Sequence, residues 1–117
     1  MIDVNVTGRG KDDGDVTLVE VSGRIDSMNA NQFGEALIGE IDSGKMHIVL
    51  DLASVDYMSS AGLREIVSAL KKVKRGQGDL RISQPSERVL EVLEMAGLDT
   101  ILQIFPSQDD ALNSFDQ

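Results

Sequence analysis

The chain has no cysteine, one histidine, two prolines and four aromatic residues in 117 positions. Without cysteine there is no disulfide and no thiol nucleophile, which fits a reducing compartment. The aromatics are Phe33, Tyr57, Phe105 and Phe115, so the core has to be aliphatic. Cations are scarce as well: 11 Lys and Arg stand against 20 Asp and Glu, a formal net charge of −9. Binding a nucleic-acid backbone needs clustered cations, so no nucleic-acid partner is expected. The one basic cluster, Lys71, Lys72, Lys74 and Arg75, falls where a helix should end, offsetting the negative end of its dipole. No apolar run approaches the roughly 20 residues of a membrane span, and the N-terminus lacks a signal-peptide pattern. The expectation is a cytoplasmic chain, 1–117 as one domain, with no membrane insertion.

These scarcities also limit the chemistry. Ser60, His47 and Asp51 are the residue types of a hydrolase triad, but His47 begins the strand that leads to the serine. At about 3.3 Å per residue, Leu52 is already roughly 16 Å beyond it, too far for a hydrogen-bonded base. The serine is not in a G-x-S-x-G elbow either. Asp12, Asp13 and Asp15 lack the length and spacing of a calcium loop. Gly8-Arg9-Gly10 lies in a hairpin turn, the wrong context for a phosphate loop. The reading is a non-enzymatic protein with no metal and no cofactor.

What is present concentrates between Ile48 and Arg75. Ile48, Val49 and Leu50 form a continuous apolar run, as expected of a strand buried on both faces. Leu63, Ile66, Val67, Leu70 and Val73 follow at i, i+3, i+4, i+7 and i+10, the period of an amphipathic helix. Ser59, Ser60, Ala61 and Gly62 make the turn between them. Ser59 suits the N-cap, and Ser60 then opens the first turn near the positive end of the helix dipole. Gly62 permits close approach to neighbouring backbone. The plain reading of two serines at such a place is capping.

The rest of the chain alternates strand and helix. Val4 and Val6 alternate with polar neighbours, Gly8 to Asp15 reads as a turn, and Val16 to Val21 resumes as a strand, giving a β-hairpin. Asp26 or Ser27 caps a helix from about Asn29 to Asp42, with Phe33, Leu37 and Ile41 on one stripe. Gly44 ends it. A strand covers His47 to Leu52, and another covers Leu80 to Ser83. Pro85 suits the first turn of a third helix, with Val89, Val92, Leu93 and Ala96 inward and Gly97 as a left-handed cap. Ile101 to Phe105 reads as a last strand. Ser107 then caps a final helix with Asp109 and Asp110 in its first turn and Ala111, Leu112 and Phe115 inward. The order β-β-α-β-α-β-α-β-α predicts an α/β fold with a mixed, mostly parallel sheet, an antiparallel N-terminal strand and about four helices.

The run V-D-Y-M-S-S-A-G-L-R after I-V-L-D-L resembles the signature of the STAS domain, the fold of bacterial anti-sigma factor antagonists. The common form there is M-D-S-S-G-L or M-D-S-T-G-L, with the phosphorylated serine directly after the Asp. On this chain Ser59 takes the Asp position, Ser60 the phosphoacceptor position and Ala61 the second hydroxyl position, while Gly62 and Leu63 match. Gly23 to Asp26 resembles the family's G-x-[LI]-D. The resemblance implies a partner surface of Asp26, Met28, Met58, Ser59, Ser60, Ala61, Gly62 and Arg64, although buried gap-filling is the commoner use of methionine. It implies as partners an anti-sigma factor of the serine-kinase type and a serine phosphatase, with phosphorylation of Ser60 as the switch. A STAS module regulating a transporter ATPase or another signalling enzyme is the alternative. Ser59 removes the negative charge that the family usually sets beside the phosphoacceptor.

Overall fold

The computed structural model describes residues 2–9 and 16–116. Five strands form one sheet: β1 (Ile2–Arg9), β2 (Val16–Ile25), β3 (His47–Met58), β4 (Asp79–Ser83) and β5 (Ile104–Phe105). The helices are α1 (Ala30–Asp42), α2 (Ser60–Arg75), α3 (Glu87–Met95) and α4 (Gln108–Asn113), with short 3-10 turns at Leu98–Thr100 and Ser114–Asp116. The strands lie in the order β1-β2-β3-β4-β5, with β1 antiparallel to β2 and every later pair parallel. This is the mixed sheet expected from the alternation of elements. The turn expected from Gly8 to Asp15 lies mostly outside the described residues.

The central strand explains why the sheet has helices on both sides. Its side chains alternate: Ile48, Leu50 and Leu52 join Phe33, Leu37, Ile66 and Leu93 in the larger core cluster. Val49 turns the other way and packs with Val16, Leu18 and Ala111 beneath α4. Ile48, Val49 and Leu50 are all completely buried, and each such side chain contributes about 1.5–3 kcal/mol relative to exposure. Asp51, next on the α4 side, is buried too. Its carboxylate accepts from Ser83 Oγ at 2.7 Å, Gln84 Nε2 at 2.8 Å and the Ala53 N–H at 3.1 Å. A buried carboxylate is tolerated when its lone pairs are used in this way.

Several local expectations need correction. β3 runs to Met58, six residues past Leu52, because β2 continues beside it to the pair Ile25–Met58. Pro85 lies just before α3 rather than in its first turn, since Ser86 is the cap and accepts from the Val89 N–H at 3.3 Å. Ala96 is exposed, because α3 stops at Met95 and Ala96 lies past its end. The last strand is only Ile104–Phe105; Ile101 is drawn instead into the 3-10 turn, donating to Leu98 O at 3.1 Å. Phe115 falls beyond α4, where its ring stacks on His47 with centroids 5.1 Å apart and lies under the Arg81 guanidinium.

Candidate functional site

The site forms where β2 and β3 end together. Ile25 pairs with Met58, and the Ser59 N–H donates to Ile25 O at 2.8 Å, so the turn after β3 is stitched to the end of β2. Each strand then leads into a helix: β2 into the Asp26 turn and α1, β3 into Ser59 and α2. Topology thus sets Asp26 and Ser60 on one end of the sheet.

Ser59 is the N-cap of α2, with extended backbone (φ −84°, ψ 167°) and its Oγ accepting from the Gly62 N–H at 3.2 Å. Its carbonyl accepts from the Leu63 N–H at 3.0 Å. Those bonds leave the first-turn N–H groups of Ser60 and Ala61 without an acceptor inside the helix. Ser60 is the first helical residue and is exposed, and no acidic residue lies in that first turn. A neutral hydroxyl therefore stands at the positive end of a sixteen-residue helix. Arg64, one turn further along and also exposed, adds a cation on the same side of the helix.

Gly62 is buried against both strand ends. A Cβ there would lie 2.7 Å from Ile25 Cγ2 and 2.6 Å from Met58 Sδ, closer than van der Waals contact allows. Close packing is thus what requires glycine here, although it is the side chains of Ile25 and Met58 that approach, rather than the backbone expected from its place in the turn. Since Gly62 and Met58 are both buried, neither offers a side chain to a partner, and the expectation that they form part of that surface is corrected. Met58 is 2% exposed and fills the space under the helix start, whereas Met28 is 90% exposed. Of the residues expected at the surface, Asp26, Met28, Ser59, Ser60, Ala61 and Arg64 remain wholly or partly accessible.

The Asp26 turn is fixed by a reciprocal set of hydrogen bonds. Asp26 Oδ1 accepts from the N–H groups of Met28 at 2.9 Å and Asn29 at 3.2 Å. Asn29 Oδ1 accepts from the Asp26 N–H at 2.9 Å, and Asn29 Nδ2 donates to Arg24 O at 2.7 Å. This is a capping box in its logic, set one turn ahead of the first α1 residue, Ala30. Sequence reasoning missed Asn29, although an amide three residues after Asp26 is its signal. It also missed Arg24, whose guanidinium lies 4.2 Å from the Tyr57 ring centroid and 3.9 Å from the Asp26 carboxylate. Arg24 and Tyr57 are register partners in β2 and β3, a pairing that no local window contains.

The chemistry available here is binding and modification. His47 opens β3 and the serine turn follows its end, twelve residues later, so no imidazole serves Ser60. No group of three or more metal-ligating side chains occurs among the described residues, and none of their helices is long and apolar enough to cross a membrane. At the opposite end of α2, Asp79 opens β4 with a perturbed carboxyl. Burial raises the Asp79 carboxyl, but hydrogen bonds from Arg81, Lys74 and the Leu80 N–H outweigh it and hold it below the usual range.

Comparison with known proteins bears on this geometry. The family model described as the STAS domain matches residues 10–111. BtrV of Bordetella bronchiseptica is 35% identical over 95 residues, 81% of this chain and 82% of that protein. The anti-sigma-B factor antagonist of Listeria monocytogenes is 38% identical over 86 residues, 72% of this chain and 74% of its own. The anti-sigma factor antagonist SpoIIAA in its unphosphorylated form superposes with a TM-score of 0.82 at 15% identity, covering 97% of this chain and 96% of that one. Its phosphorylated form from Bacillus gives 0.74 at 14% identity, covering 97% and 99%.

Proposed function

This chain belongs to the STAS-domain family, and from that premise we propose that its serine turn is the switch of an anti-sigma factor antagonist. The protein is a regulatory binding module with no catalysis of its own, working by partner switching. Unmodified, it docks an anti-sigma factor through the surface around Ser60, Asp26, Met28 and Arg64. An anti-sigma factor of the serine-kinase type phosphorylates Ser60, and a serine phosphatase reverses the modification. One observation carries the assignment to Ser60. It is an exposed hydroxyl at the positive start of α2, while the neighbouring Ser59 hydroxyl is engaged with the Gly62 N–H.

The electrostatics favour a switch that leaves the fold intact. A phosphate adds about −1.5 to −2 charges, and the helix start offers unpaired N–H groups and a positive dipole end that accommodate them. The same charge and bulk at the docking face weaken association by clash and by the cost of desolvating the phosphate. Phosphorylated and unmodified protein are therefore expected to give the same circular dichroism spectrum, while titration with the anti-sigma factor shows at least a tenfold loss of affinity. Peptide mapping should place the phosphate on Ser60. Phosphate on Ser59 alone, a loss of helical signal, or unchanged affinity would each overturn this reading.

A further inference from the structure

A second surface lies away from the serine turn, on the open edge of the sheet. β5 is the edge strand on the β4 side, and both of its residues pair with β4. The Ile82 N–H donates to Gln103 O and the Gln84 N–H to Phe105 O, both at 2.9 Å. In a parallel ladder with those bonds, the intervening residue Ile104 directs its own N–H and C=O to the outer edge. Beside that edge is a groove of about 710 Å³ between α3, the Leu98–Thr100 turn and β5. Its apolar lining includes Leu90, Leu102, Ile104 and Pro106, and its acidic groups are Glu94 and Asp99. No lysine or arginine lines it among the described residues. Met95 and Ile101 stand nearby on the surface, 83% and 53% exposed.

We propose that this groove takes an extended cationic segment of a partner protein, which adds to the sheet edge at Ile104. The backbone of Ile104 supplies the two hydrogen bonds of strand addition. Alternate apolar side chains of the segment enter beside Leu90 and Leu102, and flanking lysines or arginines meet Glu94 and Asp99. Leu90 and Glu94 are one turn apart on α3, so a single exposed face of that helix presents both an apolar and an acidic contact. The volume lies in the range of clefts that hold ligands, roughly 300–1,000 Å³. A second copy of this chain fits less well, because its formal charge of −9 would bring like charge to an acidic rim.

The test uses the whole protein, ¹⁵N-labelled, and a capped hexapeptide alternating lysine and valine. Amide shifts are expected at Gln103, Ile104, Phe105, Leu90 and Glu94, with half-saturation at least tenfold lower than for the peptide alternating glutamate and valine. Replacing the exposed rim with Glu94→Lys and Asp99→Lys should weaken the lysine peptide at least tenfold. Ser60→Asp should leave it unchanged, which separates this groove from the serine switch. Equal binding of the acidic peptide, or shifts scattered over the whole acidic surface, would overturn the proposal. So would concentration-dependent broadening of the same amides without peptide, the mark of self-association there.

Discussion

α2 and α3 start alike and part at the next residue. Ser59 accepts from the Gly62 N–H at 3.2 Å and Ser86 from the Val89 N–H at 3.3 Å, each satisfying the donor three positions on. After Ser86 comes Glu87, a carboxylate that answers the positive end of α3 from within the chain. After Ser59 comes Ser60, neutral and exposed. The third position differs as well: Val89 is fully buried at home in α3, while Gly62 is glycine because Ile25 and Met58 press on it. A serine cap is thus common scaffolding in this fold, and Ser107 supplies it again for α4. What distinguishes α2 is a helix start packed firmly onto the sheet yet left without its own anion.

The largest expected effect breaks the packing half of that contrast. Gly62→Val gives α2 the residue that α3 carries at the same position, and it should cost about 2–3 kcal/mol by overpacking against Ile25 and Met58. Denaturant midpoints measure this, and a cost below that of a cap removal would mean the helix start shifts freely. Next come the caps themselves. Ser59→Ala and Ser86→Ala should each lose about 1 kcal/mol, with the anti-sigma factor titration unaffected by Ser86→Ala. A Ser59 loss several times larger would show that this serine does more than cap. The smallest effect makes α2 imitate α3 outright. Ser60→Glu puts a carboxylate in the first turn and should stabilise by about 0.3–1 kcal/mol, even as affinity for the anti-sigma factor falls. Destabilisation by this change would show that the helix start does not welcome an anion.

Much of this was readable from residue spacing. The stripe Phe33, Leu37 and Ile41 is buried as its period required, and Ser59, Gly97 and Ser107 hold the cap positions their types suggested. What local pattern missed depends on partners distant in the chain. The second half of β3 reads A-S-V-D-Y-M, with a weak apolar signal, and is a strand because β2 lies beside it. I-L-Q-I-F looks like a strand throughout, but the turn after Gly97 takes its first two residues: Ile101 and Leu102 both donate to Leu98 O. Met28 and Met58 are alike in sequence terms and opposite in burial, since only the assembled strand end decides which one lies under a helix.

The strand order β1-β2-β3-β4-β5 also has a consequence in time. Each strand neighbours the one before it in the chain, so a polypeptide emerging from the ribosome N-terminus first always finds its next pairing edge already made. α2 can settle on β3 before β5 and α4 have been synthesised, and the serine turn becomes a finished epitope while the other edge of the sheet is still being added. Pulse-labelled hydrogen exchange during refolding should accordingly find the amides of β2 and β3 protected before those of β5.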